Sequence, residues 1–390
     1  MGLNKKKLMF QIILFLTGVV CFLFLFEQLK SQNRLNNRET ENMQKRNRIE
    51  IQKEHSNEEE KLMKQDEKQE QKIKEKRTSL AFVGDILFSD GVLDCYDKDG
   101  IDGILESSVA EQLSSADITI INNEFPFSNR GKKAADKQFT FRVDPNRVSI
   151  LNKIGVDVAS IANNHTLDFG VDALLDTCET LKNAGIEYLG AGKNFEEAKE
   201  IKYRTINQRT IAFIAASRVI PVVDWNAGVD KPGLLTTYDP ANVLDLIREA
   251  KNKADAVILY VHWGLERKNI PEDYQRNLGR QYIDAGADLV VGSHSHCLQG
   301  IEFYKDKPIV YSLGNFIFGT TIEKTVVLKV VIEEDGHMEL SVLPCKANHF
   351  KTVLIKEKEE LDNFYKFYEE ISYQVSFVGE TEERRVVSTH

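Results

Sequence analysis

The chain has 390 residues, of which 42% are hydrophobic and 28% charged, a balance that excludes a wholly disordered or collagen-like protein. At roughly 100–200 residues per domain, this length predicts one large domain or two small ones. The formal net charge of −9 is unevenly distributed: residues 1–26 carry three lysines and no acid, residues 27–78 carry 14 basic and 12 acidic residues, and residues 79–390 carry 34 and 48. The acidic main part gives no electrostatic support for nucleic-acid binding, so we expect no nucleic-acid partner.

The first predicted element is an apolar segment at residues 8–26. It contains 19 residues with one polar amide and no charge, and a helix of that length spans about 28 Å, close to the ~30 Å hydrocarbon core of a bilayer. A cleaved signal peptide is the alternative, but its apolar region is usually shorter, about 7–15 residues, and ends in small residues. Here bulky residues continue from Phe22 to Phe26 and directly into Glu27. We therefore predict an uncleaved, single-pass membrane anchor.

The sequences on either side of this span predict its topology. Lysines at positions 5–7 precede the span and three basic residues follow it closely, so the charge bias alone does not decide the orientation. The short tail with its clustered lysines favours residues 1–7 on the cytoplasmic side and the large domain outside the cell membrane. Residues 27–78 are mostly charged and amide-bearing, with no Gly or Pro, and cannot bury enough apolar surface to fold alone. We predict a polar stalk, with a weak coiled coil as the alternative.

From residue 79 the chain changes to short apolar runs that alternate with helical patterns. All eight prolines and 21 of the 23 glycines lie beyond residue 78. Near-continuous apolar runs are typical of strands covered on both faces, and their alternation with helices predicts an α/β fold. Near the end, residues 326–342 predict an antiparallel hairpin. The other predicted strands include 80–83, 118–121, 156–162, 211–216, 256–261, 289–291 and 309–311, and the predicted helices include 171–183, 241–253 and 275–285.

Polar side chains follow five of these predicted strands at the point where each strand ends. In open α/β sheets the carboxyl ends of the strands are where ligands bind. Carboxylate, amide and imidazole groups form the ligand mixture that Mn²⁺, Fe²⁺ and Zn²⁺ accept. A shared carboxylate can bridge two ions about 3.5–4 Å apart, as in two-metal hydrolases, and a histidine outside the metal shell can act as a general acid. The side chains are Asp85, Asn123, Glu124, Asn163, Asn164, His165, His262, His294 and His296.

The order of these motifs resembles the CapA family, whose members are associated with bacterial capsule and poly-γ-glutamate synthesis and are related to calcineurin-like metallophosphoesterases. The resemblance covers residues 79–350 and implies a metallophosphoesterase-like layered sandwich of mixed β-sheets flanked by helices, followed by a C-terminal helical extension at residues 351–390. It also implies polymer synthase or export membrane proteins as partners and an anionic polymer or phosphoester as substrate. The matching motifs are Gly84-Asp85, Asn122-Asn123-Glu124, Asn163-Asn164-His165 with Asp168, His262-Trp263-Gly264 with Glu266, Gly292 to His296, and Leu313 to Phe316.

The resemblance implies a site for one or two divalent ions, Mn, Fe or Zn. Glu124 would take the bridging position. Metallophosphoesterases usually carry Asp-x-His at the first motif, whereas Leu87 occupies the histidine position here, and Glu124 replaces their customary Asp. The first ion is therefore expected to have fewer protein ligands than in those enzymes. The other implied ligands are Asp85 and His296 for the first ion, and Asn164, His262 and His294 for the second.

The resemblance further implies catalytic and supporting residues. His165 is similar to the histidine that protonates the leaving group. Asp168 would orient His165, or would cap the helix that begins near residue 170. The residues implied to support the site or to contact substrate are Asn123, Glu266 and Asn315; the segment of Asn315 is alternatively a structural turn after a strand. Separately, Arg142 lies in a predicted rim loop, where it is either an anion contact or a solvated charge.

Three functions are consistent with this pattern. The first is a membrane-anchored, extracytoplasmic CapA-like protein in the synthesis or export of a capsule polymer such as poly-γ-glutamate, with a metal site that supports hydrolysis or transfer. The second is a metal-dependent phosphoesterase of another substrate. The third is a non-catalytic scaffold of a polymer synthase complex, which the missing histidine at position 87 favours.

Overall fold

The computed structural model separates into two units, Met1–Ile73 and Lys74–His390. In the first unit, one helix, α1 (Lys7–Arg38), is long and apolar enough to cross a membrane, a property that a signal sequence near the N-terminus would share. The start of the predicted tail (1–6) and much of the predicted stalk (46–76) lie outside the described residues. The described residues are 7–10, 12–38, 40, 43, 45, 77–135 and 137–389.

The second unit contains strands and helices along its whole described length. Its helices are α2 (Asp90–Asp99), α3 (Ser107–Ser114), α4 (Ser149–Lys153), α5 (Gly170–Asn183), α6 (Phe195–Ala198), α7 (Ala241–Lys251), α8 (Asp273–Ala285) and α9 (Lys358–Glu370). Its strands are β1 (Thr78–Ile86), β2 (Ile118–Asn123), β3 (Val158–Ser160), β4 (Glu187–Leu189), β5 (Ala191–Gly192), β6 (Lys202–Ile206), β7 (Arg209–Ser217), β8 (Gly233–Leu234), β9 (Ala256–His262), β10 (Leu289–Ser293), β11 (Leu298–Tyr304), β12 (Lys307–Leu313), β13 (Asn315–Ile317), β14 (Ile322–Ile332), β15 (Met338–Asn348), β16 (Lys351–Leu354), β17 (Val375–Val378) and β18 (Arg384–Ser388). Short 3-10 helices occupy Gly100–Gly103, Pro145–Val148 and Val223–Trp225.

These strands form two large mixed sheets. The first has the order β17-β18-β15-β14-β1-β2-β3-β4, with β13 beside β1 and β16 beside β15; β1 to β4 are parallel and β14 is antiparallel to β1. The second has the order β11-β12-β10-β9-β7-β6, with a parallel centre and antiparallel edge strands. Strands β5 and β8 form a separate pair.

The two large sheets pack face to face. Successive side chains of a strand point to opposite faces, so each strand contributes to the cluster between the sheets and to a cluster on its outer face. Leu80 and Phe82 of β1 lie in one buried cluster with Phe213 of β7 from the second sheet. The intervening residues of the first sheet pack in a cluster with α2, α3, α4 and α5, and the outer face of the second sheet packs against α7 and α8. The predicted α/β sandwich of mixed sheets flanked by helices is confirmed, as is the hairpin, formed by β14 and β15.

The residues after position 350 contribute to this same sandwich. Strand β16 pairs with β15, and β18 extends the first sheet from the other end of β15. Helix α9 places Phe364 and Tyr368 in the buried cluster between the sheets. The segment predicted as a helical extension therefore contains strands that pair with the main sheet as well as a helix.

A buried carboxylate connects α8 to the second sheet and gives a test of the fold. Glu302 of β11 is 4% exposed and accepts hydrogen bonds from Tyr311 Oη at 2.8 Å and Arg280 Nε at 2.8 Å. Arg276 Nε donates to the same carboxylate at 3.2 Å. Burial raises the pKa of Glu302, but these hydrogen bonds outweigh it, and the pKa lies below its ordinary value.

We expect Glu302→Gln to lower the free energy of unfolding by about 2 kcal/mol at pH 7, because two arginines lose a buried charged partner. The pKa of Glu302 is lower in the folded state than in the unfolded state. The contribution of its charge to the free energy of unfolding is therefore fully present above the unfolded pKa of about 4.3, and it is lost as the pH falls through the folded pKa. Urea unfolding of wild type and variant at pH 7 and pH 3 checks this. An equal difference at both pH values would contradict it.

Candidate metal centre

The candidate site lies where the carboxyl ends of parallel strands from both sheets meet. Asp85 is the next-to-last residue of β1, and Glu124 follows β2 directly. His262 ends β9, and His294 follows β10. All four of these residues are buried, with at most 5% exposure. The convergence predicted from the strand ends is therefore present in the structure.

Two groups of three ligand-type side chains come together here. Glu124, His262 and His294 have ligand atoms that lie within 4.8 Å of one another, and so do Asp85, Glu124 and His296. Glu124 belongs to both groups, which is the arrangement expected of a bridging carboxylate. The imidazole rings of His262 and His294 are 4.7 Å apart between centroids. The five residues form one continuous cluster, which we call the metal-ligand cluster.

Unpartnered atoms inside the metal-ligand cluster fit a cation. Both carboxylate oxygens of Glu124 and Nδ1 of His294 are buried without a hydrogen-bond partner among the described residues. A buried carboxylate without a partner is costly, so native proteins pair it with a cation or a donor. Carboxylate and imidazole together suit Mn²⁺, Fe²⁺ or Zn²⁺. The residues present therefore fit a divalent ion.

Burial also sets the protonation states in the metal-ligand cluster. It lowers the pKa of His262 well below the ordinary value and the pKa of His294 to about 3, so both imidazoles are neutral at pH 7, which is the form that binds metals. Burial raises the pKa of Glu124, and the neighbouring Asp85 raises it further. The pKa of Asp85 is raised as well, again chiefly by burial.

Amide and hydroxyl groups orient the ligands. Asn122 Nδ2 donates to Asp85 Oδ1 at 2.7 Å and lies 3.4 Å from His262 Nδ1. Ser293 Oγ is 3.0 Å from the same His262 nitrogen, and Asn164 Oδ1 is 2.8 Å from His262 Nε2. Asn122 and Ser293 were not predicted as site residues, although each lies within one of the matching motifs. Such contacts to metal-ligating groups fix ring orientation and tautomer.

The loop after β10 has a backbone conformation that non-glycine residues rarely adopt. His294 has φ of 96° and His296 has φ of 57°, each at a cost of roughly 1–3 kcal/mol. The intervening Ser295 holds the loop, since its Oγ lies 2.8 Å from Ser312 Oγ and its carbonyl accepts a hydrogen bond from the Arg267 backbone at 2.7 Å. This conformation directs both imidazoles into the metal-ligand cluster.

Beside the metal-ligand cluster, His165 forms a dyad with Asp168. His165 Nδ1 is 2.7 Å from Asp168 Oδ2, so Nε2 is the nitrogen left for a ligand. Phe141 donates its backbone N–H to the same aspartate oxygen at 2.7 Å. The N-cap of α5 is Phe169, and the Asp168 carboxylate contacts His165 instead of capping that helix. Burial lowers the pKa of His165 below its ordinary value.

Lys137 completes this group, although it was not predicted as a site residue. Its ammonium forms an ion pair with Asp168 and lies 3.0 Å from His165 Nδ1. The Lys137 side chain is 13% exposed and that of Asp168 is fully buried. Burial lowers the pKa of Lys137, although the aspartate opposes this effect. No motif marks this lysine, because it reaches the site from the loop between β2 and α4.

We expect Lys137→Met to lower the free energy of unfolding by about 3 kcal/mol, because it removes the cation from a buried carboxylate. The double variant with Asp168→Asn should lose less than the sum of the two single changes, since neither charge then remains. Urea denaturation of the four proteins measures this coupling. Additive losses would contradict the ion pair.

Of the other predicted residues, Asn315 contacts the metal-ligand cluster, whereas Asn123 and Arg142 make contacts elsewhere. Asn315 Oδ1 is 2.8 Å from His296 Nδ1, and Asn315 pairs with Asp85 in the sheet. Asn123 Nδ2 donates to the Phe125 carbonyl at 2.6 Å and shapes the turn after β2. Arg142 is not brought to the cluster: its guanidinium lies 4.2 Å from the ring centroid of Phe169 and donates to the Arg130 carbonyl.

A cavity of about 890 Å³ opens onto the metal-ligand cluster. Its wall includes His165, His296 and Asn315, together with Glu266, which is exposed. Leu87, at the position where metallophosphoesterases carry a histidine, also lines this cavity. The wall of this cavity therefore includes one residue of the dyad, His165, and one residue of the metal-ligand cluster, His296.

Comparisons with known proteins agree with this arrangement. Residues 79–320 match the sequence model of a family described as bacterial capsule synthesis protein PGA_cap. The chain is 34% identical over 271 residues to the PGA biosynthesis protein CapA of Bacillus subtilis, covering 68% of this chain and 70% of that protein. It is 32% identical over 278 residues to the capsule biosynthesis protein CapA of Bacillus anthracis, covering 69% and 67%.

Among solved structures, the sulfate thiohydrolase SoxB of Thermus thermophilus superposes with a TM-score of 0.40 and 12% identity, covering 68% of this chain and 56% of that one. That score is too low to carry an argument about chemistry. The residues that match the family model, 79–320, include the four strand ends that carry the metal-ligand cluster and all five of its residues, from Asp85 to His296. The chain therefore belongs to the bacterial capsule synthesis family that includes CapA.

Proposed function

We propose that this protein is a membrane-anchored, extracytoplasmic member of the CapA family that acts in the synthesis or export of a capsule polymer such as poly-γ-glutamate. The names of the two Bacillus relatives support the polymer. The apolar helix α1 supports the anchor. The observation that supports a chemical role is that both carboxylate oxygens of Glu124 lack a hydrogen-bond partner among the described residues. Glu124 also belongs to both groups of ligand-type side chains.

The proposal assigns a part to each segment of the chain. Residues 1–7 form a cytoplasmic tail, residues 8–26 the anchor and residues 27–78 the stalk. The domain at 79–350, with the segment at 351–390, lies outside the membrane. Polymer synthase or export proteins in the same membrane are its partners, since a tethered domain reaches a growing polymer only near the place where that polymer emerges.

One or two divalent ions, Mn, Fe or Zn, are the proposed cofactors. Asp85, Glu124 and His296 would hold one ion, and Glu124, His262 and His294, with Asn164 beside them, would hold a second. Such ions supply Lewis-acid polarisation of a carbonyl or phosphoryl oxygen.

The residues of the dyad have a separate task in this proposal. Asp168 accepts a hydrogen bond from Nδ1–H of His165. In the imidazolium form of His165, the proton on Nε2 passes to the leaving group of an amide or phosphoester, and a neutral imidazole with its proton on Nδ1 remains. Phe141 packs on the His165 ring, with 4.5 Å between ring centroids, and limits water there. Hydrolysis or transfer at an amide or phosphoester bond is the reaction class that this arrangement supports.

The test of the polymer function is capsule production by cells that carry Asp85→Ala and His296→Ala together. We expect loss of polymer while the protein remains at wild-type level in the membrane fraction. Lys253→Gln, on the exposed side of the fold, is the control and should leave polymer unchanged. Full polymer production by the double variant would reject a metal-dependent role and favour a scaffold.

A phosphoesterase acting on another substrate is the second candidate, because the His165–Asp168 dyad is suited to protonating an alkoxide leaving group. In this case the full-length protein should turn over a chromogenic phosphoester with Mn²⁺ or Zn²⁺, and His165→Ala should lose turnover while retaining metal. No turnover with either ion or with Fe²⁺ would count against this candidate.

A further inference from the structure

A second cavity, of about 530 Å³, reaches the metal-ligand cluster from another side. Its wall includes Arg218, Tyr238, Tyr274 and His294. Glu266 lines both this cavity and the larger one. A ligand that reaches His294 through this opening passes Arg218, a residue that the sequence analysis did not single out.

Arg218 is held in place by the fold. It follows β7 directly, and its backbone N–H donates to the His262 carbonyl at 2.8 Å. Its Nη1 donates to the carbonyls of Thr237 and Tyr238 at 3.0 and 2.7 Å. The guanidinium carbon lies 4.9 Å from the ring centroid of Tyr238 and 5.2 Å from that of Tyr274. A guanidinium fixed in this way loses little further freedom when it binds a ligand.

The charge of Arg218 has no acidic partner among the described residues. Other half-buried arginines of this sandwich are paired: Arg204 with Asp157, and Arg276 with Glu302. Arg218 is half-buried, and its Nε and Nη2 have no hydrogen-bond acceptor within the described part of the chain. A fixed guanidinium with two unused donor nitrogens suits the oxygens of a carboxylate or phosphate.

We propose that Arg218 forms an oxyanion subsite beside the metal-ligand cluster, which binds a carboxylate or phosphate group of the substrate. The inference rests on the proposed function only for the location of the reacting bond, at the cluster. Each residue of a γ-linked glutamate chain carries a free carboxylate, and a phosphoester carries phosphate oxygens, so both substrate classes offer the chemistry that Arg218 recognises. The exposed carboxylate of Glu266 on the same wall repels an anion, so Glu266→Gln should tighten binding.

The test is isothermal titration calorimetry on the full-length protein in detergent, treated with EDTA and then dialysed free of it so that neither divalent ions nor the chelator's carboxylates contribute. The two probes are inorganic phosphate and a γ-linked glutamate trimer. We expect Arg218→Gln to weaken binding by about tenfold or more, the range of a charged hydrogen bond. Arg248→Gln, which removes an exposed arginine of α7, should bind as wild type. Dependence on Arg218 for the trimer alone identifies a carboxylate, and dependence for phosphate alone identifies a phosphoester.

Arg218→Lys covers the case in which the glutamine variant does not fold, and the melting temperature of each variant is measured. The lysine keeps the charge but not the planar fork, so we expect weaker binding than in wild type. The proposal is overturned if neither probe binds the wild type, or if both variants bind as wild type does. If the wild-type protein binds no metal ion but still binds the probes through Arg218, the result counts against the proposed function and not against this inference.

Discussion

Replacing Glu124 with glutamine is expected to abolish the stabilisation of this protein by Mn²⁺ or Zn²⁺ without destabilising the metal-free protein. Most substitutions of a buried charged residue cost stability because they break a hydrogen bond or an ion pair. At Glu124 both carboxylate oxygens lack a partner among the described residues. The glutamine has nearly the same shape as the glutamate but carries no charge. It therefore removes the repulsion between two buried carboxylates, since the negative charge of Asp85 disfavours a negative charge on Glu124.

The effect of the ion should be large in the wild type. A ligand that binds only the folded state stabilises it by about 2.7 kcal/mol at a concentration 100 times its Kd. Because Glu124 belongs to both groups of ligand atoms, its replacement weakens both positions at once. Thermal unfolding of the full-length protein in detergent, with EDTA and with added Mn²⁺ or Zn²⁺, measures this difference.

Glu302→Gln is the matched control, since it makes the same chemical change at a carboxylate that accepts four hydrogen bonds. It should lower the melting temperature in EDTA and leave the rise on adding metal intact. Glu124→Gln should show the opposite pattern. A metal-dependent rise in Glu124→Gln equal to that of wild type would contradict the bridging role.

Replacing Gly84 with alanine is expected to lower the free energy of unfolding by about 3 kcal/mol, the upper end of the usual cost of overpacking. A Cβ at this position would lie 1.8 Å from the carbonyl oxygen of Gly314. That carbonyl accepts a hydrogen bond from the Asp85 backbone at 2.8 Å. Because the contact is with backbone, it cannot be relieved by rotating a side chain, and β1 must move away from β13.

The same movement should weaken metal binding, because Asp85 pairs with Asn315 across this contact. Urea unfolding and a Mn²⁺ titration of Gly84→Ala check both effects. The control is Gly228→Ala, where the nearest atom to an added Cβ is Cβ of Lys231 at 3.3 Å, and where we expect less than about 1 kcal/mol. Equal stability of the two variants would contradict the close approach at Gly84.

The strands and their polar ends could be predicted from the sequence because buried strands leave a local signal. The runs that begin at Leu80 and Ile118 are apolar on both faces, and the polar side chains come immediately after them. Motif order then gave Asp85, Glu124 and the histidines, which the structure brings together.

Other parts depend on contacts between residues far apart in the chain. Lys137 and Arg218 lie in segments without a motif. Lys137 comes near His165 because β2 and β3 are neighbours in the first sheet, and Arg218 comes near His294 because β7 and β10 lie on either side of β9 in the second. The pairing of β18 with β15 is likewise non-local. The left-handed conformation of His294 could not be predicted, because a non-glycine residue gives no sequence signal for it.

We propose that the metal-ligand cluster is a divalent-metal centre. The most direct measurement is elemental metal analysis of the full-length protein purified without chelator, together with calorimetric titration of the EDTA-treated protein with Mn²⁺ and Zn²⁺. We predict one or two bound ions per chain in the wild type and none in the double variant Glu124→Gln, His294→Ala. A wild-type protein that neither carries nor binds these ions, or a double variant that binds them equally well, would contradict it.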